Sequence, residues 1–138
     1  MNPIDLTVTR TIPAPAAEVF DLWMDPTKAG SPWYGTAQSK VDATVGGLFY
    51  FAVEQDGRKW PHYGRFLRIE RPALAEFTWV SEATKGVETI VTVTFEARGE
   101  QTAVTLRHSG VPDEMGRQHQ EGWTWMLLVL ADRLAQKS

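Results

Sequence analysis

The sequence predicts an α+β domain in which a curved, predominantly antiparallel sheet of six or seven strands wraps a long carboxy-terminal helix. Three observations lead there. Apolar residues alternate with polar ones at period two through most of the chain between Lys40 and His108, broken by tight turns. A short helical stripe sits near the amino terminus, and a broad one at period 3.6 lies near the carboxy terminus. The 138 residues fit one domain, residues 1–138, and the pattern leaves no place for a boundary.

In order, Ile4 to Ile12 is a half-buried first strand, ended by Pro13-Ala14-Pro15. Ala16 to Met24 carries Val19, Phe20 and Trp23 on a short helix that Asp25-Pro26 closes. Gly30, Pro32 and Gly35 leave room for at most one helical turn before the sheet resumes. Gly46-Gly47 opens a strand in which Phe49, Phe51 and Val53 share a face, and Asp56-Gly57 is a hairpin turn. In Trp60 to Glu70, Gly64 and Phe66 face one way and Ile69 is out of phase, which predicts a bulge. Arg71-Pro72 ends that strand, and Phe77 and Trp79 alternate in the next. Val87 to Ala97 places Val87, Thr89, Val91, Val93 and Phe95 together, and Gly99 turns the chain into a strand with Val104, Leu106 and His108 on one side. Asp113 or Ser109 is placed to cap the final helix, whose stripe is Trp123, Met126, Leu127, Leu130 and Leu134. Trp125, Leu128 and Val129 form a second apolar flank beyond what packing on one sheet requires.

Composition excludes several functions. A net charge of -3 without a basic stripe argues against nucleic acid as a partner. The absence of cysteine removes disulfides and thiolate chemistry. The start MNPIDLTVTR lacks a basic patch followed by an apolar run, and the apolar stretch from Trp125 to Ala131 is too short to span a bilayer. A cytoplasmic protein with no membrane partner is therefore expected. His62, His108 and His119 form no metal-ligand spacing, Gly46-Gly47 lacks the residues of a nucleotide loop, and no cofactor is implied.

Several ordered fragments carry a family resemblance. They are Thr11-Ile12-Pro13-Ala14-Pro15, Val19-Phe20-Asp21-Leu22-Trp23, Pro32-Trp33-Tyr34-Gly35, Gly46-Gly47-Leu48-Phe49, Asp56-Gly57, Phe77-Thr78-Trp79, Val91 to Phe95, Leu106 to Gly110 and Gly122-Trp123. With them the chain resembles the START-like helix-grip superfamily, also called SRPBCC or Bet v 1-like. Within it, the chain is most similar to the branch named after the homologue of the heat-shock-protein-90 ATPase activator. The sequence departs from that pattern at Trp33-Tyr34, where paired tryptophans are usual, and at Ala29-Gly30-Ser31-Pro32, where a more regular helix is usual. The resemblance implies a helix-grip fold with an interior cavity.

An aromatic content of 11% suits such a cavity, because rigid rings give large contact area at little entropic cost. The candidate ligand-binding residues are Phe49, Phe51, Phe66, Phe77, Trp79, Val91, Val93, Phe95, Leu106, Trp123 and Leu127 as walls. Trp33 and Tyr34 stand at the entrance, with Tyr63 and His108 as polar anchors, whereas His62 and His119 are placed at the surface or rim. The function expected first is a binding or accessory protein with an apolar cavity for a small hydrophobic molecule. Two alternatives stand beside it. One is protein interaction, as a homodimer or chaperone accessory, through Trp125, Leu128 and Val129. The other is a hydrolase, dehydratase or cyclase using His108 and a nearby carboxylate, although no nucleophile, base and orienting acid stand in order.

Overall fold

The computed structural model describes residues 3–25, 27–28, 31 and 37–135, with the backbone alone at 37–39, 53, 55 and 83. Strand β1 (Pro3–Ile12) and helix α1 (Ala16–Met24) lead into β2 (Ala37–Val41), β3 (Leu48–Gln55), β4 (Arg58–Glu70), β5 (Leu74–Ser81), β6 (Thr89–Arg98) and β7 (Gln101–Pro112). Helix α2 (Gly116–Ala135) follows, entered through a 3-10 turn at Asp113–Met115. The seven strands form one sheet in the order β1-β7-β6-β5-β4-β3-β2, every pairing antiparallel. Strands β2 to β7 are thus a meander, and β1 joins its far edge beside β7. The sheet curves around α2, as the sequence predicts.

Local chemistry explains the punctuation. Pro15 has φ -64° and ψ 153°, and α1 begins at the next residue. Asp56 and Gly57, at φ 56° and 73°, make the two-residue turn of the β3–β4 hairpin, a left-handed pair that twists with the strands. The phase slip expected near Ile69 is a bulge, since the β4–β5 register shifts between Phe66 and Arg68. Strand β6 starts later than expected, because the chain before it is held in a turn. The Val87 amide bonds the Thr84 carbonyl at 3.0 Å, which leaves Val87 51% exposed rather than on the inward face.

The core lies between the concave sheet face, α1 and α2. Trp23 and Phe20 of α1 meet Phe95 edge-on at 6.3 and 5.3 Å. Phe66, Phe77, Val91, Val93 and Leu106 are buried in one cluster with Leu127 and Leu130 of α2. Buried aromatic and aliphatic groups of this size each contribute roughly 1.5–3 kcal/mol over exposure. A polar tie crosses this core where Thr102 Oγ1 donates to the Ala14 carbonyl at 2.7 Å and fixes the β1–α1 link to β7.

Candidate functional site

At the end of the sheet where the β3–β4 hairpin stands away from the first half of α2, the concave face opens into a cleft of about 1050 Å³. The hairpin supplies Phe51, Arg58, Trp60 and His62, and β5 with the turn after it supplies Trp79 and Glu82. The remaining wall comes from Met115 and α2, including His119, Trp123, Trp125 and Met126. Strand alternation and helical spacing account for this meeting. Trp60 and His62 share parity with Gly64 and Phe66, whereas His119 precedes Trp123 by four residues and so lies on the same stripe.

Trp79 is the hub of the floor. Its ring centroid lies 4.9 Å from Trp123, 5.1 Å from His62 and 5.6 Å from Phe51. His62 stacks almost flat on Phe51 at 4.9 Å with 8° between planes. At the mouth, Nη2 of Arg58 donates to both carboxylate oxygens of Glu82, at 2.6 and 2.7 Å. The same guanidinium lies 4.1 Å over the Trp60 ring. These contacts pin the hairpin to the turn after β5. Lys85 of that turn in turn pairs with Glu114, next to the start of α2.

The three imidazoles are neutral near pH 7. Burial pushes His62 down to about 4, with the Trp60 backbone opposing and a charge on His119 adding to the shift. His62 Nδ1 is buried without a hydrogen bond of ordinary geometry. Burial also lowers His119, against a backbone bond to Met115, and takes His108 down to about 3. His108 is fully buried behind Trp123, with Nδ1 3.0 Å from the Trp123 indole nitrogen and Nε2 2.7 Å from Thr89 Oγ1. Both ring nitrogens are therefore engaged within the protein.

Of the residues singled out in the sequence, Phe51, Trp79 and Trp123 come together at the cleft. Phe49 lies one layer behind, 6.1 Å from Trp79. Phe66, Phe77, Val91, Val93, Phe95, Leu106 and Leu127 pack as solid core. Tyr63 lies on the outer face of the sheet, 49% exposed, because it is out of phase with His62 and Gly64. It therefore does not enter the cleft as an anchor. Trp33 and Tyr34 lie outside the described residues, as does the side chain of Val53. His62 and His119, expected at the rim, instead form part of the inner wall, and strand and helical phase are the signals in the sequence that point there. Glu121 pairs with Arg117 at 3.2 Å rather than with His108. Among the described residues no group of three or more histidines and carboxylates is placed to hold a metal ion. None of the described helices is long and apolar enough to cross a membrane.

Comparison with known proteins gives a consistent fold. The family described as "Activator of Hsp90 ATPase homolog 1-like protein" matches residues 13–135. Among solved structures, CalU16 from Micromonospora echinospora is 23% identical with a TM-score of 0.73, over 93% of this chain and 74% of its own. Protein CV1439 from Chromobacterium violaceum is 22% identical with a TM-score of 0.76, over 96% and 98%. ChR145 from Cytophaga hutchinsonii is 20% identical with a TM-score of 0.78, over 99% and 97%. No curated protein matches the sequence. Likeness at these identities speaks to the fold.

Proposed function

The chain belongs to the Activator of Hsp90 ATPase homolog 1-like family, and from that premise we propose that it is a binding or accessory protein whose cleft takes a small, mostly apolar organic molecule. The observation that carries the reading is the cleft itself, about 1050 Å³ and walled by Phe51, Trp60, Trp79 and Trp123. A two-ring aromatic molecule burying roughly 250 Å² there gains about 6 kcal/mol from apolar area. Lost translational and rotational freedom offsets much of this gain, so micromolar to millimolar dissociation constants are expected.

His108 does not suit the role of general base in this reading, because neither of its nitrogens is left for a substrate. Titration with naphthalene-type compounds, followed by quenching of tryptophan fluorescence, tests the proposal. Saturable binding that is weakened in Trp60→Ala is the expected result. A folded protein that binds no member of a broad aromatic panel would overturn it.

A second reading, contact with a protein partner or a second copy of the chain, is favoured by the outer flank of α2. Trp125 is 59% and Leu128 38% exposed there, with Val129 half-buried beside them. Sedimentation equilibrium of the wild type and Leu128→Glu separates the two readings. A dimer that the substitution dissolves supports the second, and a monomer in both leaves Trp125 as cleft wall alone.

A further inference from the structure

We infer that the ligand of this cleft is an uncharged, flat aromatic molecule that carries a hydrogen-bond donor, such as a phenolic hydroxyl or a ring N–H, received by Nε2 of His119. The inference rests on the binding function proposed above and adds the chemical class of the ligand. Its root is a proton assignment. Nδ1 of His119 lies 2.9 Å from the Met115 carbonyl, which only accepts, so that nitrogen carries the N–H. A neutral imidazole has one N–H, and Nε2 is left as a bare acceptor. No described residue bonds it, whereas the ring itself is part of the cleft wall.

The surroundings keep the ring in that state. His119 stands edge-on to His108, with centroids 5.1 Å apart, and a proton on it works against His62 and His108 as well. The charged groups lining the cleft are Arg58, Glu82 and Glu121. Arg58 is occupied by Glu82, and Glu121 pairs with Arg117, so among the described residues no cation of the lining is left over for a ligand anion. The rings of Phe51, Trp60, Trp79 and Trp123 meanwhile favour a planar guest. Gln118 at the wall has both donor and acceptor capacity and does not alter the preference.

Four matched probes test this on the full chain at pH 7.5 by calorimetry and fluorescence: naphthalene, 2-methoxynaphthalene, 2-naphthol and 2-naphthoate. The expected order places 2-naphthol about five- to tenfold tighter than 2-methoxynaphthalene, as one net hydrogen bond provides, with 2-naphthoate weakest. His119→Phe should lose the preference for 2-naphthol over 2-methoxynaphthalene. Should that variant fail to fold, the wild-type ranking and a 2-naphthol-specific shift of the His119 ring resonances decide in its place. Naphthalene binding without a preference for 2-naphthol, or a preference that survives in folded His119→Phe, overturns the inference and leaves the proposed function standing. Failure of all four probes to bind removes both.

Discussion

The indole N–H of Trp123 donates to Nδ1 of His108 across 3.0 Å, and because an indole nitrogen only donates, that imidazole nitrogen is bare. The proton of His108 therefore sits on Nε2 and points to Thr89 Oγ1, 2.7 Å away. The threonine hydroxyl in turn donates a hydrogen bond to the Trp79 carbonyl at 2.6 Å. A single direction of donation thus runs from α2 through β7 and β6 to β5 behind the cleft floor. A proton added to His108 abolishes its first step, since the Nδ1–H would then face the Trp123 indole N–H, two donors with no acceptor between them.

Stability should consequently fall with acid well before the carboxylates titrate. The folded-state values of His62, about 4, and His108, about 3, lie below the unfolded value of 6.5, so the unfolded chain binds more protons between them. Their contribution is complete above 6.5 and is lost as pH falls through that window. Each histidine withdraws up to about 1.4 kcal/mol per pH unit there. Asp5, Asp21 and Asp25, with pKa values lowered from 3.8, add their loss only further down. Urea denaturation from pH 7.5 to 4.5 should show this slope, and His108→Gln should make it shallower. An unchanged slope would place the proton uptake elsewhere.

Gly64→Ala should destabilise the sheet next to the cleft. A Cβ at Gly64 would meet the Thr78 carbonyl and come within 2.7 Å of the Phe49 ring, and neither backbone nor a packed ring yields readily. Overpacking of this kind costs about 1–3 kcal/mol. Phe49 lies 6.1 Å from Trp79, so displacement should carry into the cleft floor. Thermal denaturation with naphthalene titration should register both effects, and a wild-type melting temperature would show that the strands can separate there.

The fold was legible because its determinants are local. Alternation identified β3 and β5 to β7, Asp56-Gly57 identified a hairpin, and the Trp123–Leu134 stripe identified α2. The cleft was only half legible. Its position depends on where the β3–β4 hairpin and α2 diverge, and no sequence period encodes that divergence. Strand centres were expected to line the cavity, yet Phe66, Phe77 and Val93 are buried in one packed cluster with Leu127 and Leu130, and the opening lies beyond them. Trp60, His62 and His119 were nevertheless in phase with correctly read neighbours. Positions near the ends of their elements place His62 and His119 at the rim on sequence grounds, whereas the neutral imidazole of His62 stacks on Phe51 and that of His119 stands edge-on to His108. Val87 misled for the opposite reason, as an apolar residue in phase with β6 that a preceding turn keeps out of the strand.

That turn provides the last prediction. Thr84 is fully buried, and its Oγ1 lies 3.1 Å from the Ser81 amide, 3.0 Å from the Ser81 carbonyl and 2.8 Å from the Val87 carbonyl. One hydroxyl thereby closes the 3-10 turn at Glu82–Thr84 onto both flanking segments. Thr84→Val keeps the shape and removes these bonds, at a cost of about 1–2 kcal/mol. The turn presents Glu82 to Arg58, so the substitution should also loosen the hairpin wall and weaken naphthalene binding a few-fold. Glu82→Gln is the contrast, because its ion pair is about half exposed and contributes under about 1 kcal/mol to stability. Urea denaturation and fluorescence titration of both variants separate the effects. A Thr84→Val protein that loses stability yet binds naphthalene at full strength would show that the cleft takes its shape without this turn.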